Sequence, residues 1–146
     1  MTLQRIRAYI ESSVNAAYAG LADPVTVVFE NTLDTPPALP YVLCLIDYTS
    51  TTELLVCNLE PATEDLRGNL QLSCFVKRGR GMRQLEELAS TAMATINNLY
   101  DWESEIRVKP GAINGPVSDA SGVSGRVEDA YVFATVSCPF QARDTA

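Results

Sequence analysis

The chain has 146 residues, 47% of them hydrophobic, and a formal net charge of -7 at pH 7. This length suits one domain with a real core, and no apolar run approaches the roughly 18 residues that a membrane span needs. The chain has no histidine, which removes the commonest general base and most catalytic triads. The first twenty residues mix charged and apolar side chains, so we expect no secretory signal and folding in the cytosol.

Apolar spacing in the first half predicts one helix followed by four strands. The helix spans 2–18 and carries one stripe, formed by Leu3, Ile6, Ile10, Val14 and Ala17. Strands are predicted at 24–31, 41–48, 53–59 and 67–76, with a proline-rich loop at 32–40, a turn at 49–52 and a polar loop at 60–65. The almost continuously apolar strand at 41–48 should be covered on both faces. Alternation in the last strand puts Leu70, Leu72, Cys74 and Val76 on one face.

The second half predicts a second helix and a final long strand. The helix spans 82–99, with a stripe formed by Leu85, Leu88, Ala89, Ala92, Ile96 and Leu99. Residues 101–125 form a long loop region with short edge strands at "SEIRV" and "AINGPV". A strand follows at 126–140, and 141–146 form a flexible tail. This order predicts one domain, 1–146, of the α+β class: a mixed or antiparallel sheet with two helices packed on one face.

The spacing and surroundings of the cysteines and carboxylates indicate structural roles rather than catalysis or metal binding. None of the cysteines is in a CxxC pair, and each lies in an apolar run, so we expect buried, reduced thiols at Cys44, Cys57, Cys74 and Cys138. Two groups of carboxylates should be solvated surface charge: Glu60, Glu64 and Asp65, and then Asp101, Glu103 and Glu105. No glycine-rich phosphate loop is present. We therefore predict no catalytic residue, no metal and no cofactor, and a protein that is not an enzyme.

Positive charge is concentrated just before the second helix. Lys77, Arg78, Arg80 and Arg83 lie within seven positions of an acidic chain. A helix N-terminus carries positive partial charge, so basic residues are locally unfavourable there. A solvated turn, a bound anion, nucleic acid and an acidic partner subunit all remain open, and we favour the partner subunit.

Two segments resemble the tail terminator proteins of long-tailed bacteriophages. "VVFENTLDTPPALPYVLCLI" has a strand that ends in Phe-Glu-Asn, a proline loop, and Pro-Tyr-Val at the start of the next strand. "RGNLQLSCFVKRGRGMRQLEELASTA" has an Arg-Gly turn, an alternating strand, a basic turn with glycines, and a helix. The resemblance covers most of residues 3–100 by element order. The matching positions are Phe29, Glu30, Asn31, Pro36, Pro40, Tyr41, Arg67, Gly68, Gly79 and Gly81.

The resemblance implies a structural virion protein without enzymatic activity. Such a protein forms a hexameric ring that caps the tail tube, ends tail polymerisation and offers a surface to the head-side connector or neck. Genomic DNA would pass through the ring without specific binding, and no membrane would be involved. Assembly would occur in the host cytoplasm, and the final location would be the tail and neck region of the virion. The interface candidates are Glu30, Asn31, Pro36, Pro37, Pro40, Lys77, Arg78, Arg80 and Arg83.

Three other functions remain open at this point. A head–tail joining protein, meaning a tail-completion or neck protein, would have a similar size and ring habit. A small nucleic-acid-binding module would use the basic turn and bind less well as salt rises. A small hydrolase would need a carboxylate pair, and the sequence offers no activated group for it.

Overall fold

Two helices and six strands make up the part of the chain that the structure describes. The structure is a computed structural model and describes residues 2–30, 37–54, 63–79, 82–101, 103, 105–118 and 131–144. The elements, in chain order, are α1 (Thr2–Ala19), β1 (Thr26–Phe29), β2 (Tyr41–Leu54), β3 (Thr63–Lys77), α2 (Arg83–Asn98), β4 (Ile106–Pro110), β5 (Asn114–Ser118) and β6 (Tyr131–Asp144). Neither helix is long and apolar enough to cross a membrane, within the residues described.

The strands form one mixed sheet in the order β1-β2-β3-β6-β4, and β5 also pairs with β6. β1 runs parallel to β2, whereas all the other pairs are antiparallel. Both helices pack on the same face of this sheet. This confirms the predicted α+β class, with a mixed sheet, two helices on one face and a single domain.

The core lies between the helices and that face of the sheet. Alternation in β3 buries Leu70, Leu72, Cys74 and Val76, as predicted. α2 buries the whole predicted stripe, and α1 buries Ile6, Ile10, Val14 and Tyr18. The predicted stripe of α1 was wrong at both ends, because Leu3 is 48% exposed and Tyr18, not Ala17, is fully buried. Four residues after Val14 is closer to the same helix face than three, so the larger Tyr18 completes the stripe.

The β2–β3 hairpin is longer than predicted. The turn predicted at 49–52 is wrong, because β2 continues to Leu54 through a register irregularity between Tyr48 and Ser50. β3 already begins at Thr63, so the polar loop predicted at 60–65 is wrong from that residue onward. Serine and threonine are common in turns, but cross-strand pairing decides whether such a run becomes strand. The remainder of the predicted 53–59 strand, 55–59, lies outside the described residues.

The C-terminal strand also extends beyond its predicted end. The flexible tail predicted at 141–146 is wrong for 141–144, which pair with both β3 and β4. The two short edge strands expected within 101–125 are present as β4 and β5. The prediction of a long loop at 101–125 is therefore wrong where β4 and β5 lie, within 106–118. Residues 119–130 lie outside the described residues. The sequence missed the end of β6 because its partners are far away along the chain.

Candidate interaction surfaces

The predicted basic turn lies at the surface, where β3 ends. Lys77 is exposed and Arg78 is half-buried, while Arg80 lies outside the described residues. The side chain of Arg83 is 93% exposed and pairs with Glu87 at 3.2 Å, an exposed contact that contributes little to stability. Lys77 and Arg83 are thus accessible to a partner.

Glu30, a predicted interface residue, has internal partners instead. Its carboxylate accepts a 2.6 Å hydrogen bond from the backbone N–H of Ile46 and lies 3.4 Å from the guanidinium of Arg7. Arg7 also pairs with Glu11 at 3.3 Å. Glu30 therefore ties the end of β1 to β2 and to α1, which is a structural role within the subunit.

The remaining interface candidates that the structure describes, Pro37 and Pro40, lie just before the start of β2. Pro37 and Pro40 are half-buried, whereas Asn31 and Pro36 lie outside the described residues. Pro40 precedes Tyr41, which is paired with Phe75 close to Lys77. Ile46 is five residues farther along β2, about 17 Å at the rise of an extended strand. The structure therefore places Pro40 close to Lys77 of the basic turn, whereas Glu30 lies farther along the sheet, beside Ile46.

The sheet face opposite the helices, named the open face here, carries a row of aromatic rings. Tyr41 stacks on Phe75 at 4.8 Å between ring centroids, and Phe133 stacks on the other side of Phe75 at 5.4 Å. Tyr131 meets Phe75 edge-on at 5.4 Å. These four residues form the aromatic ladder, which spans β2, β3 and β6 and stays partly exposed. The prediction that 41–48 is covered on both faces is wrong, because Tyr41, Leu43 and Leu45 are only half-buried on the open face.

The sequence contained one signal for this ladder. Phe75 stands on the otherwise polar face of β3, beside Ser73 and Gln71. An aromatic residue at such a position indicates cross-strand partners, which here are Tyr41 and Phe133 in register. The identity of those partners could not be read from the sequence alone.

A second feature of the open face is a basic groove at its other end. It is a cavity of about 360 Å³ whose lining includes Arg67, Asn69, Lys109 and Gln141. The strand register places Arg107 beside Arg143 on the same face. Four basic residues from three strands thus share this end of the sheet: Arg67, Arg107, Lys109 and Arg143. Sequence reasoning missed all of them as a group.

Asp65 lies at the same end of the open face, opposite Arg143 in the strand register, and corrects the expectation of a solvated carboxylate. It is 4% exposed, and the side-chain amide of Gln141 donates to both of its oxygens at 2.9 Å. The guanidinium of Arg143 lies 3.5 Å away and that of Arg67 3.9 Å away. Asp65 is buried because β6 continues through the segment predicted to be a tail. The side chains of Glu60 and Glu64 lie outside the described part.

The second carboxylate group is closer to the expectation of solvated surface charge. Glu103 is exposed, whereas Asp101 is half-buried. Glu105 has a side chain that is 71% exposed and pairs with Arg5 at 2.9 Å. Arg5 also pairs at 2.8 Å with Asp144, which is buried. These contacts join α1 to the residue before β4 and to the end of β6.

The thiols are buried and weakly acidic. Cys44, Cys74 and Cys138 are free and buried as predicted, and Cys57 lies outside the described residues. Burial raises the pKa of Cys44 to about 12 and that of Cys74 to about 11. A thiol with a raised pKa is a poor nucleophile at neutral pH. Within the described ranges, no cluster of three metal-ligating side chains is present.

Comparisons with known proteins identify the fold and leave the function open. No family model matches the chain, and no curated protein matches it. A solved structure whose name describes no function is 19% identical, with a TM-score of 0.62 over 97% of this chain and 96% of that chain. At that identity the likeness shows a shared fold across nearly the whole length of both chains, and nothing further.

Proposed function

We propose that this protein is a tail terminator of a long-tailed bacteriophage. Its copies form a hexameric ring that caps the tail tube, ends tail polymerisation and provides the surface for the head-side connector. The two sequence segments that resemble tail terminators support this proposal, and so does the α+β fold.

One structural observation carries the proposal: the sheet has two different faces. Helices cover one face, whereas the open face presents a partly exposed aromatic ladder and a basic groove. Contiguous apolar surface of this kind on a small domain indicates a site for other protein chains. A subunit of a ring needs such surfaces and needs no catalytic group.

The basic turn and Pro40 provide a joint at one end of the sheet. A stiff proline backbone loses little entropy on docking, and exposed basic side chains orient an acidic partner. We assign this joint to contact with another protein, either the tail tube or a neighbouring subunit. DNA passes through the ring without specific binding, since a lumen that gripped phosphates would slow ejection. The protein acts in the virion after assembly in the host cytoplasm.

The test is the solution mass of the protein with and without tail-tube protein. Light scattering on a sizing column at two concentrations, followed by negative-stain imaging, should show a ring, alone or on the end of the tube. Charge reversal by Arg78→Glu with Arg80→Glu should abolish capping of the tube. The control Asn15→Glu with Asn97→Glu, which adds negative charge at exposed helix positions, should leave capping intact.

Two outcomes would change the proposal. A monomer that ignores tube protein would contradict it. A ring that binds the portal-side adaptor instead of the tube would identify the protein as a head–tail joining protein.

A further inference from the structure

We propose that the basic groove is one half of the contact between subunits, and that it receives carboxylate side chains from a second copy of this chain. The inference rests on the proposed ring function and identifies the surfaces that would join the ring. It assigns the groove to subunit–subunit contact and leaves the basic turn to the tail tube.

The groove is lined by two basic side chains, Arg67 and Lys109, and by no carboxylate among the described residues. Arg67 has a side chain that is 63% exposed, and its ion pair with Asp65 is long, at 3.9 Å. Lys109 is exposed and forms no ion pair with any described residue. Arginine and lysine in a concave site favour carboxylate groups as ligands.

Most of the remaining surface is acidic. The groove end of the open face and the basic turn together hold eight of the eleven basic residues of the chain. Of the other three, Arg5 and Arg7 are already paired with carboxylates on the described part of the molecule. The rest of the surface therefore carries the acidic excess that a basic groove would attract.

One acidic site lies on the helix-covered side, away from the groove. Asp23 and Glu87 line a shallow depression of about 210 Å³ between α2 and the segment that follows α1. Glu86 is adjacent in the first turn of α2 and is exposed. These three residues form the acidic patch, in which Glu87 also pairs with Arg83 at 3.2 Å, so Asp23 and Glu86 supply its uncompensated charge. Asp23 and Glu86 make no ion pair with the residues that the structure describes.

The opposite positions of the groove and the patch determine the kind of contact. A groove on one face and a complementary patch on the other give a head-to-tail contact, which closes into a ring when the rotation allows. Nucleic acid is the other polyanion that could occupy the groove. A nucleic acid strand would extend from the groove over the acidic remainder of the surface, whereas a second copy presents its carboxylates as a local patch, so a second copy is favoured.

The test uses reciprocal charge reversal in the full chain. The groove variant carries Arg67→Glu and Lys109→Glu, and the patch variant carries Asp23→Lys and Glu86→Lys. Each variant alone presents like charges on both surfaces and should run at the mass of one chain, 15.9 kDa. An equimolar mixture should regain the wild-type mass, because each variant's groove then meets a patch of opposite charge. The association should weaken as NaCl rises.

The matched control is Arg78→Glu with Arg80→Glu, which changes the net charge by the same amount as the groove variant. It should keep self-association and lose tube capping. All masses are measured with tail-tube protein present as well as without it, and circular dichroism confirms that each variant is folded.

The other outcomes distinguish failure of this inference from failure of the tail terminator proposal. A groove variant that assembles like the wild type, or single variants that stay monomeric after mixing, overturns the inference and leaves the tail terminator proposal intact. A wild type that is monomeric even with tube protein overturns both. A groove variant that keeps its mass but loses binding to single-stranded DNA assigns the groove to nucleic acid.

Discussion

At the residue scale, Tyr18 joins the two helices through one buried hydroxyl group. It is fully buried at the end of α1, and its hydroxyl donates a 2.9 Å hydrogen bond to the backbone carbonyl of Leu88 in α2. The same oxygen lies 3.9 Å from the sulfur of Cys74 in β3. Burial raises the pKa of Tyr18, so the hydroxyl remains a donor at any physiological pH. One side chain thus fixes both helices over the same part of the sheet.

Removing this hydroxyl should destabilise the fold measurably. Tyr18→Phe should lower the free energy of unfolding by about 1 kcal/mol, because the Leu88 carbonyl loses one of its partners in a buried place. Urea denaturation measures the change. Tyr48→Phe is the control: its hydroxyl contacts the Leu3 carbonyl at 3.3 Å and Arg7, both within reach of water, so the loss of this hydroxyl should cost less. Equal losses in the free energy of unfolding for the two variants would show that the buried hydrogen bond of Tyr18 contributes no more than an exposed one.

At the element scale, the β2–β3 hairpin depends on a close approach at Gly68. Gly68 faces Tyr48 in the register, next to the irregularity of β2. A Cβ atom on Gly68 would collide with the backbone carbonyl of Asp47 and would lie 3.0 Å from the ring of Phe140. The absence of a side chain at this position lets β2, β3 and β6 pack closely.

Adding one methyl group there should therefore cost stability. Gly68→Ala should lower the free energy of unfolding by about 2 kcal/mol, in the range of overpacked core positions. Thermal unfolding should show a melting temperature lower by about 6 °C for a domain of this size. Gly79→Ala tests backbone strain without crowding. At Gly79 φ is +89°, which side chains rarely adopt, and a Cβ atom there would meet nothing within 4 Å. A Gly68→Ala variant as stable as the wild type would contradict the crowding seen at this position.

At the scale of the whole molecule, the neutral thiols link folding to pH. Cys44 and Cys74 are buried under the helices, and burial raises their pKa from 9.0 to about 12 and about 11. In the unfolded chain the thiols ionise near pH 9, whereas in the folded chain they stay neutral. Their contribution to stability is therefore complete below pH 9 and is lost as the pH rises towards 11 and 12.

Unfolding measured across alkaline pH should show this loss. The free energy of unfolding should fall steadily above pH 9, and a Cys44→Ala, Cys74→Ala double variant should fall less steeply over the same range. The double variant will begin from a lower stability, because it loses buried sulfur atoms, so the slopes and not the absolute values are compared. Equal slopes would mean that other groups control the alkaline transition.

Local patterns predicted much of the architecture. The six-residue stripe of α2 and the alternation of β3 are both observed, because a helix or strand with one buried face repeats that face in its own sequence. The order of elements was sufficient to predict an α+β fold with two helices on one face. The extent of β6 was not predictable, because its end pairs with Asp65, 78 positions away from Arg143. The extent of β2 was missed because its Ser/Thr run becomes strand only by pairing with β3.

The candidate interaction surfaces also include features that the sequence predicted and features that only the structure revealed. By itself, the sequence determined the helices, the α+β class, the burial of Cys44, Cys74 and Cys138, and a cluster of basic residues before the second helix. Only the tertiary structure decided that Glu30 serves the interior, that Asp65 is buried, and that an aromatic ladder and a basic groove share the open face. The four basic residues at the groove end of the open face come from three strands, so no spacing along the chain marks them. Local periodicity encodes which face of an element is buried, whereas strand pairing decides which distant side chains meet.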